Sequence, residues 1–333
     1  MKCGKQTYKL EKVVTIEEVF SLGGPLEQDG NFRSYFDLTM EDDEWSCKTH
    51  EKAEIKMQKD SIKGLLEKSK LNESDIDCIM GGDLINQLFP TNFSAREYEI
   101  PFCGLYNACA TFGEALGLAS FLLENQFEKI ICVTSSHFAT AERQYRFPLE
   151  LGTQPTPESQ WTVTGCGVAL LTNERSRKPQ IKYVTLGKIV DLMCSDANNM
   201  GAAMAPAAYD TIVGHLKDLG RNADYYDMIL TGDLGKFGRE ALYFLCKKDG
   251  IILNNLNDCG AMIFKKEQKM GQGGSGAGCS SLSFCSYFYK QMLERSLKRI
   301  LFVPTGALLS KDSPLQGETI PAIAHAIAIE MED

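Results

Sequence analysis

A repeated segment constrains the fold of this chain more than any other feature of its sequence. The stretch Leu71–Leu84 (LNESDIDCIMGGDL) matches Arg221–Leu234 (RNADYYDMILTGDL) at an offset of 150 residues, and both end in Gly-Asp-Leu. A second match, at an offset of 170 residues, relates Lys129–Val133 to Arg299–Val303. Because several elements recur in the same order, we interpret the chain as two copies of one structural plan.

Each copy has the pattern of an α/β unit. In the first copy, Ile55, Ile62 and Leu66 recur at helical spacing ahead of the repeated strand. The runs KIICV and RILFV are short, continuous and apolar, which is typical of strands covered by helices on both faces. We therefore predict an α/β fold of two duplicated βαβαβ halves, with residues 1–160 in the first half and 161–333 in the second.

Two further segments are less regular. Thr140–Gln160 is polar with little periodicity, and we interpret it as a loop or lid. In the tail, Ile323, His325 and Ile327 alternate with smaller residues, which predicts an edge or half-buried strand.

Charge and cysteine content exclude several function classes. The net charge of −9 argues against a nucleic-acid surface, which needs clustered Lys and Arg. None of the 12 cysteines forms a C-x-x-C pair, so neither a metal site nor a redox dithiol is expected. A reducing, intracellular compartment fits these cysteines. Since no apolar run approaches the roughly 20 residues that span a bilayer, any membrane association is expected to be peripheral.

Cys109 is the first candidate site residue. It lies in a small-residue turn, Tyr106–Ala110, that opens into a helix rich in alanine and leucine. A thiol at a helix N-terminus lies at the positive end of the macrodipole, which favours the thiolate. The alternative is a buried structural cysteine.

The A-C-A turn, the helix after it and the duplicated frame together resemble the thiolase superfamily. Within it, the chain is most similar to the ketoacyl synthases that initiate fatty-acid chains. The resemblance implies a layered αβαβα fold and a homodimer. It also implies that catalysis would need a His from an H-Q-A-N segment and an Asn from an N-T-S segment, both in the second half.

The second half departs from that pattern. The segment that would carry the His reads Gly232-Asp233-Leu234-Gly235, and the later turn has glycine where the Asn would fall, in Gly271–Gly276. Without a base and oxyanion donors, acyl transfer loses its main rate contributions. We expect no acyltransferase activity and no cofactor. We interpret the glycine run itself as a tight turn for close packing.

His137 keeps an enzyme hypothesis open. It follows a strand end in Thr134-Ser135-Ser136-His137 and could act as the base of a Cys-dependent acyltransferase. The alternative is a capping or interface histidine. His215 and His325 are interpreted as structural.

Several whole segments resemble a sporulation branch of the superfamily, found in spore-forming bacteria. They are GGDLINQ (81–87), TSSHFATAERQYRFP (134–148), MGAAMAPAAYDTI (200–212), LTGDL (230–234), NDCG (257–260), GGSGAGCS (273–280) and TGALLS with IPAIAHA (305–326). This resemblance implies a non-catalytic protein of a spore membrane system that moves dipicolinic acid. Its ligand would be dipicolinate, free or as the calcium salt. Its partners would be other proteins of that system, at the spore inner membrane.

The predicted ligand site has five residues. The backbone amides of Cys109 and Gly306 would hold a carboxylate, as the resemblance implies. His137 and Ser310 would contact the rest of the ligand. Asp233 ends a strand and is either a pocket residue or, like its repeat equivalent Asp83, a structural cap.

Overall fold

The computed structural model describes residues 1–145 and 155–332, and its main sheet has twelve strands there. In the described part of the chain, the strands are β1 (Thr7–Lys9), β2 (Thr15–Gly23), β3 (Leu38–Thr39), β4 (Cys78–Gly82), β5 (Phe102–Gly104), β6 (Lys129–Ser136), β7 (Trp161–Thr162), β8 (Gly165–Thr172), β9 (Gln180–Thr185), β10 (Met228–Thr231), β11 (Leu256–Asp258), β12 (Gly274–Ser275), β13 (Arg299–Val303), β14 (Thr305–Ala307), β15 (Ala322–Ala324) and β16 (Ala326–Glu330). The helices are α1 (His50–Ser69), α2 (Phe89–Ala95), α3 (Thr111–Leu123), α4 (Phe138–Tyr145), α5 (Met200–Leu219), α6 (Gly235–Lys248), α7 (Cys259–Ile263), α8 (Ala277–Ser283) and α9 (Tyr289–Leu293).

Ten of the twelve strands form two groups of five, while β1 pairs with β9 and β3 pairs with β2. The two groups of strands have the same order and the same directions. The first runs β2-β8-β6-β4-β5 and the second β9-β16-β13-β10-β11, and in each the first two pairings are antiparallel and the last two parallel. Among the described residues, the pair Thr15 and Gln180 joins them. The predicted duplicated α/β fold is confirmed.

The register of the strands repeats at the offsets found in the sequence. Ile79 pairs with Ile131 in the first group, and Ile229 pairs with Leu301 in the second. The helix that precedes each repeated strand also ends alike, because Lys70 and Gly220 both adopt the left-handed conformation.

Helices separate and cover the two groups of strands. α3 contacts β4, β6 and β8 on one side and β9 and β16 on the other, so it lies in a central layer. There Phe112 contacts Phe284 and Phe302, with ring centroids 6.4 and 6.2 Å away. α1 covers the outer face of the first group, and α5 lies against β9 and β16 of the second. The αβαβα layering follows.

β8 lies between β2 and β6, so Gly165–Thr172 pairs within the first group of strands, although the sequence divides the halves at residue 160. Two further sequence expectations need correction. The predicted lid begins as helix α4, and residues 146–154 of it lie outside the described residues. The tail forms two strands, and β16 is central rather than at an edge because it pairs with both β13 and β9.

Two carboxylates provide a stability test of the duplication. Asp77 accepts hydrogen bonds from the backbone N–H groups of Glu128 and Lys129, at 2.6 and 2.9 Å. Asp227 accepts the equivalent bonds from residues 298 and 299, at 2.7 and 2.8 Å. We expect Asp77→Ala and Asp227→Ala each to lower the free energy of unfolding by about 1–2 kcal/mol in urea denaturation.

The exposed Asp224 is the control for these two variants. We expect Asp224→Ala to change the free energy of unfolding by less than about 0.5 kcal/mol. Destabilisation by only one of the two test substitutions would show that the two turns are not equivalent.

Candidate functional site

Cys109 lies at the junction of the two halves, in a strained turn. A 3₁₀ turn, Ala108–Ala110, leads directly into α3, and Ala108 has a positive φ of 49°. The Thr111 hydroxyl closes the turn, because it accepts from the Asn107 N–H at 3.1 Å and donates to the carbonyl of Ala108 at 2.7 Å. A left-handed conformation at alanine costs about 1–2 kcal/mol, so contacts with the surrounding residues must stabilise this turn.

Asp233 lies beside the thiol and is fully buried. One of its carboxylate oxygens accepts from the hydroxyl of Ser275 at 3.1 Å and from the N–H of Gly276 at 3.0 Å. The other accepts from the Thr305 hydroxyl at 3.0 Å. The Cys109 thiol is a further neighbour of this carboxylate. Three converging donors fit an ionised carboxylate, which can only accept.

This environment opposes the thiolate. Burial raises the pKa of the Cys109 thiol well above its ordinary value, and the neighbouring Asp233 charge raises it further. Burial also raises the pKa of Asp233, although its hydrogen bonds oppose that shift. The thiolate expected from the helix N-terminus is therefore wrong, because desolvation and a like charge outweigh the macrodipole here.

A cavity of about 60 Å³ opens beside Cys109. A single water needs about 10–15 Å³ of such space, so several waters or one small molecule can enter. Its described lining is mostly apolar, with polar atoms from Cys109, Glu142, Tyr145, Thr162 and Ser275. The remaining lining residues are Leu84, Ala108, Ala141, Ala197, Met200, Gly276, Ala307 and Leu309.

Of the five predicted site residues, the structure brings Cys109, Asp233 and Gly306 together. His137 is buried elsewhere: its Nε2 lies 2.8 Å from the carbonyl of Asp43, and its Nδ1 accepts from the Ala139 N–H at 3.2 Å. Burial lowers the pKa of this imidazole. Both ring nitrogens are thus occupied, and His137 is not among the described residues that line the cavity. This arrangement does not support a role as a base for Cys109, and the contact between His137 and a ligand stays a prediction.

Ser310 also lies outside the cavity beside Cys109. Its side chain is exposed and accepts from the N–H groups of Asp312 and Ser313, at 3.2 and 2.9 Å. The preceding Leu309 contacts the cavity instead. The chain turns outward after Leu309, which neighbouring sequence positions do not reveal.

Gly306 lies against the Cys109 turn, but its amide has another partner. A Cβ atom at Gly306 would lie 2.7 Å from the carbonyl oxygen of Asn107, so only glycine permits this approach. Gly306 pairs with Ile323 in the β14–β15 ladder. The Leu308 N–H donates to the Pro321 carbonyl at 2.8 Å, so these two residues form a hydrogen-bonded pair of the ladder. Hydrogen-bonded and non-hydrogen-bonded pairs alternate along antiparallel strands, so Gly306 and Ile323 also form a hydrogen-bonded pair. The Gly306 N–H therefore faces Ile323 and not a ligand.

Several cavity residues were missed from the sequence. Ser275 and Gly276 belong to the glycine run, which was interpreted only as a tight turn. Met200 begins α5, and Tyr145 ends α4. These residues fall inside segments that carry the sporulation resemblance, but position within a segment does not show which side chains face a cavity.

Neither a metal centre nor a membrane span is evident in the part of the chain that the structure describes. There, His, Cys, Asp and Glu side chains do not form a group of three that could hold a metal ion. None of the described helices combines the length and the apolar character that crossing a bilayer requires.

Comparisons with known proteins identify the family. The family model described as stage V sporulation protein AD matches residues 4–330. Stage V sporulation protein AD of Bacillus subtilis (strain 168) is 42% identical over 329 residues, which cover 98% of this chain and 97% of that protein.

Solved structures agree on the fold. A single-residue variant of Xanthomonas campestris OleA has a TM-score of 0.62 at 13% identity, with 97% of this chain and 99% of that chain covered. The 3-oxoacyl-[acyl-carrier-protein] synthase III of Aquifex aeolicus VF5 has a TM-score of 0.52 at 12% identity, with 98% of both chains covered. These likenesses establish a thiolase-like fold, and the family match carries the assignment further: the chain belongs to the stage V sporulation protein AD family.

Proposed function

We propose that this sporulation protein is a non-catalytic binder of dipicolinic acid. The observation that carries the proposal is the buried Asp233 carboxylate beside Cys109, where the related synthases would need a base. A carboxylate held by Ser275, Gly276 and Thr305 keeps the thiol protonated. The cavity thus has space for a ligand but no thiolate that could act as a nucleophile.

The cavity offers a flat aromatic ligand one aromatic wall and a few polar contacts. Tyr145 contributes its ring, which can stack on a pyridine. The Thr162 hydroxyl and the Cys109 amide at the start of its turn are the donors we assign to a ligand carboxylate. Charge-assisted hydrogen bonds contribute about 1.5–3 kcal/mol each, so two of them together with stacking support micromolar affinity.

Family membership supports a wider role. We propose that the protein works with other proteins of a spore membrane system that moves dipicolinate into the developing spore. Within this proposal it is a homodimer, binds the inner membrane peripherally, and takes dipicolinate as the free acid or as the calcium salt.

A Cys-dependent acyltransferase is the second candidate, because the neighbours by fold include a 3-oxoacyl-[acyl-carrier-protein] synthase. That neighbour is 12% identical and carries the fold alone. The enzyme hypothesis also needs a base for Cys109, and both nitrogens of His137 are engaged elsewhere.

One experiment with two arms separates the candidates. We expect dipicolinate to raise the melting temperature of the protein, because a ligand that binds only the folded state stabilises it. We expect incubation with an acyl thioester to leave the intact mass unchanged. A covalent adduct that disappears in Cys109→Ala would establish the enzyme instead, and no thermal shift with dipicolinate would refute the binding proposal.

A further inference from the structure

We propose that the exposed face of α6 is the surface through which this protein binds a bilayer of anionic phospholipids. The inference rests on the proposed peripheral membrane association and names its surface. It is independent of what the Cys109 cavity binds.

α6 exposes two large aromatic side chains one heptad apart. Phe237 and Phe244 are 46% and 64% exposed, and a spacing of seven residues places them on one side of the helix. The opposite side is buried, at Gly238, Leu242 and Cys246. The two rings therefore project away from the protein.

Basic residues flank the two phenylalanines in the sequence of α6. α6 carries four basic residues and one acidic residue, in a chain whose net charge is −9. Lys236, Lys247 and Lys248 are exposed. Lys247 and Lys248 are not in an ion pair with any residue in the described ranges. A locally positive helix on an acidic protein is complementary to an anionic surface.

Exposed aromatic rings within a basic helix face are the features of an amphipathic helix that lies in the membrane interface. The rings enter the headgroup region, and the lysines bind the lipid phosphates. An acidic protein would be attracted by the same charge. Two protruding rings on a convex helix favour a deformable lipid surface, because a rigid partner would need matching pockets.

The position of α6 connects this surface with the cavity. α6 packs closely on α5, since a Cβ atom at Gly238 would lie 2.8 Å from the carbonyl oxygen of Gly201. The residue before Gly201, Met200, lines the cavity beside Cys109. A bilayer in contact with α6 would thus lie one helix away from the ligand site.

A second exposed apolar patch supplies the matched control. Leu192 and Met193 are 66% and 74% exposed, more than either phenylalanine. They lie in a segment with acidic neighbours, Asp191 and Asp196. If exposed apolar side chains alone caused membrane binding, this patch would contribute at least as much as α6.

Vesicle flotation at low salt tests the proposal. We expect the wild-type protein to float with vesicles of phosphatidylglycerol and phosphatidylcholine and not with phosphatidylcholine alone. Reversing two lysines in Lys247→Glu/Lys248→Glu should weaken binding by at least about 25-fold, since each basic residue contributes about fivefold near an anionic surface. Phe237→Ser/Phe244→Ser should weaken it by at least about tenfold. Leu192→Ser/Met193→Ser should bind like wild type.

The outcomes distinguish the surface from the association itself. Circular dichroism and the melting temperature establish that each variant is folded. Failure of the wild-type protein to float, with retention on poly-glutamate beads instead, would overturn membrane binding and indicate an acidic protein partner. Flotation that is unchanged in both α6 variants, or weakened equally in the Leu192/Met193 control, would overturn the assignment to α6 and leave the proposed association intact.

Discussion

Isothermal titration calorimetry of Cys109→Leu is expected to show no dipicolinate binding at ligand concentrations that saturate the wild-type protein. The reason is steric. Cys109 lines a cavity of about 60 Å³, and its neighbours in the turn cannot retreat because Gly306 already approaches Asn107 closely. A branched side chain at position 109 fills the space that the ring would occupy. We expect the dissociation constant to rise at least about a hundredfold, or roughly 2.7 kcal/mol.

Cys109→Ala is the matched variant, because it removes the sulfur and adds no bulk. We expect it to weaken binding by only about two- to tenfold, which corresponds to the loss of one modest contact. Both variants should keep the wild-type circular dichroism spectrum. If Cys109→Leu binds dipicolinate as tightly as the wild-type protein, the ligand occupies another place on the molecule.

The fold could be predicted from the sequence because the two halves still have similar segments at fixed offsets. The match of Leu71–Leu84 with Arg221–Leu234 reappears as equal strand order, equal register and equal carboxylate turns at Asp77 and Asp227. Each of these features is set by backbone pairing, which apolar patterning specifies directly.

The tail shows where patterning failed. Alternation at Ile323, His325 and Ile327 is typical of a strand with one solvent face. In the structure the chain changes partner at His325, so that β15 pairs with β14 and β16 enters the middle of the sheet. The small alanines at the alternate positions are buried, and helix α5 packs against these strands. In the sequence, the alternation of alanines with larger residues has the same pattern as a strand with one solvent-exposed face.

Side-chain direction limited the prediction of the site. β6 ends at Ser136, and His137 is the next residue. The Ser136 hydroxyl contacts the glycine-rich segment, whereas the His137 imidazole is directed to the Asp43 carbonyl. In the glycine run, Gly276 has a φ of 106°, and a Cβ atom there would lie 2.7 Å from the Ser136 hydroxyl. The run is a tight turn, as predicted, and its tightness is what delivers Ser275 and Gly276 to Asp233.

Asp233 and Asp83 show how equivalent residues acquire different roles. Asp83 accepts from the N–H of Thr91 at 2.9 Å and from the N–H of Ile85 at 2.7 Å, so it fixes the local backbone. Asp233 lies at the same point of the second copy and binds residues far away in sequence, together with the thiol. The sequence left Asp233 open between a pocket residue and a structural cap, and the structure places its carboxylate beside the Cys109 thiol.

The second large effect concerns the reactivity of Cys109. We expect iodoacetamide to modify Cys109 of the native protein very slowly at pH 8, and Asp233→Asn to increase that rate by at least about tenfold. Only the thiolate is nucleophilic, and a nearby charge shifts a pKa by about 1–3 units, each unit changing the thiolate fraction about tenfold. The asparagine retains the size of Asp233 and removes its negative charge.

Peptide mapping by mass spectrometry follows each cysteine separately. The exposed Cys103 is the internal standard for a reacting thiol, and the fully buried Cys279 reports general opening of the core. We expect Asp83→Asn, the repeat-equivalent substitution, to leave the Cys109 rate unchanged. Faster modification of Cys279 in Asp233→Asn would mean that the substitution loosened the core, and the Cys109 rate would then be compared after normalisation to Cys279.

Wild-type Cys109 that reacts as fast as Cys103 would contradict the electrostatic account of this site. The thiol would then be activated despite its burial and its carboxylate neighbour, and the acyltransferase hypothesis would regain its nucleophile. A slow wild-type rate that Asp233→Asn raises at Cys109 alone would have the opposite meaning. It would show that one carboxylate, placed where the synthases need a base, holds a catalytic-type cysteine in its protonated form and leaves the cavity to a ligand.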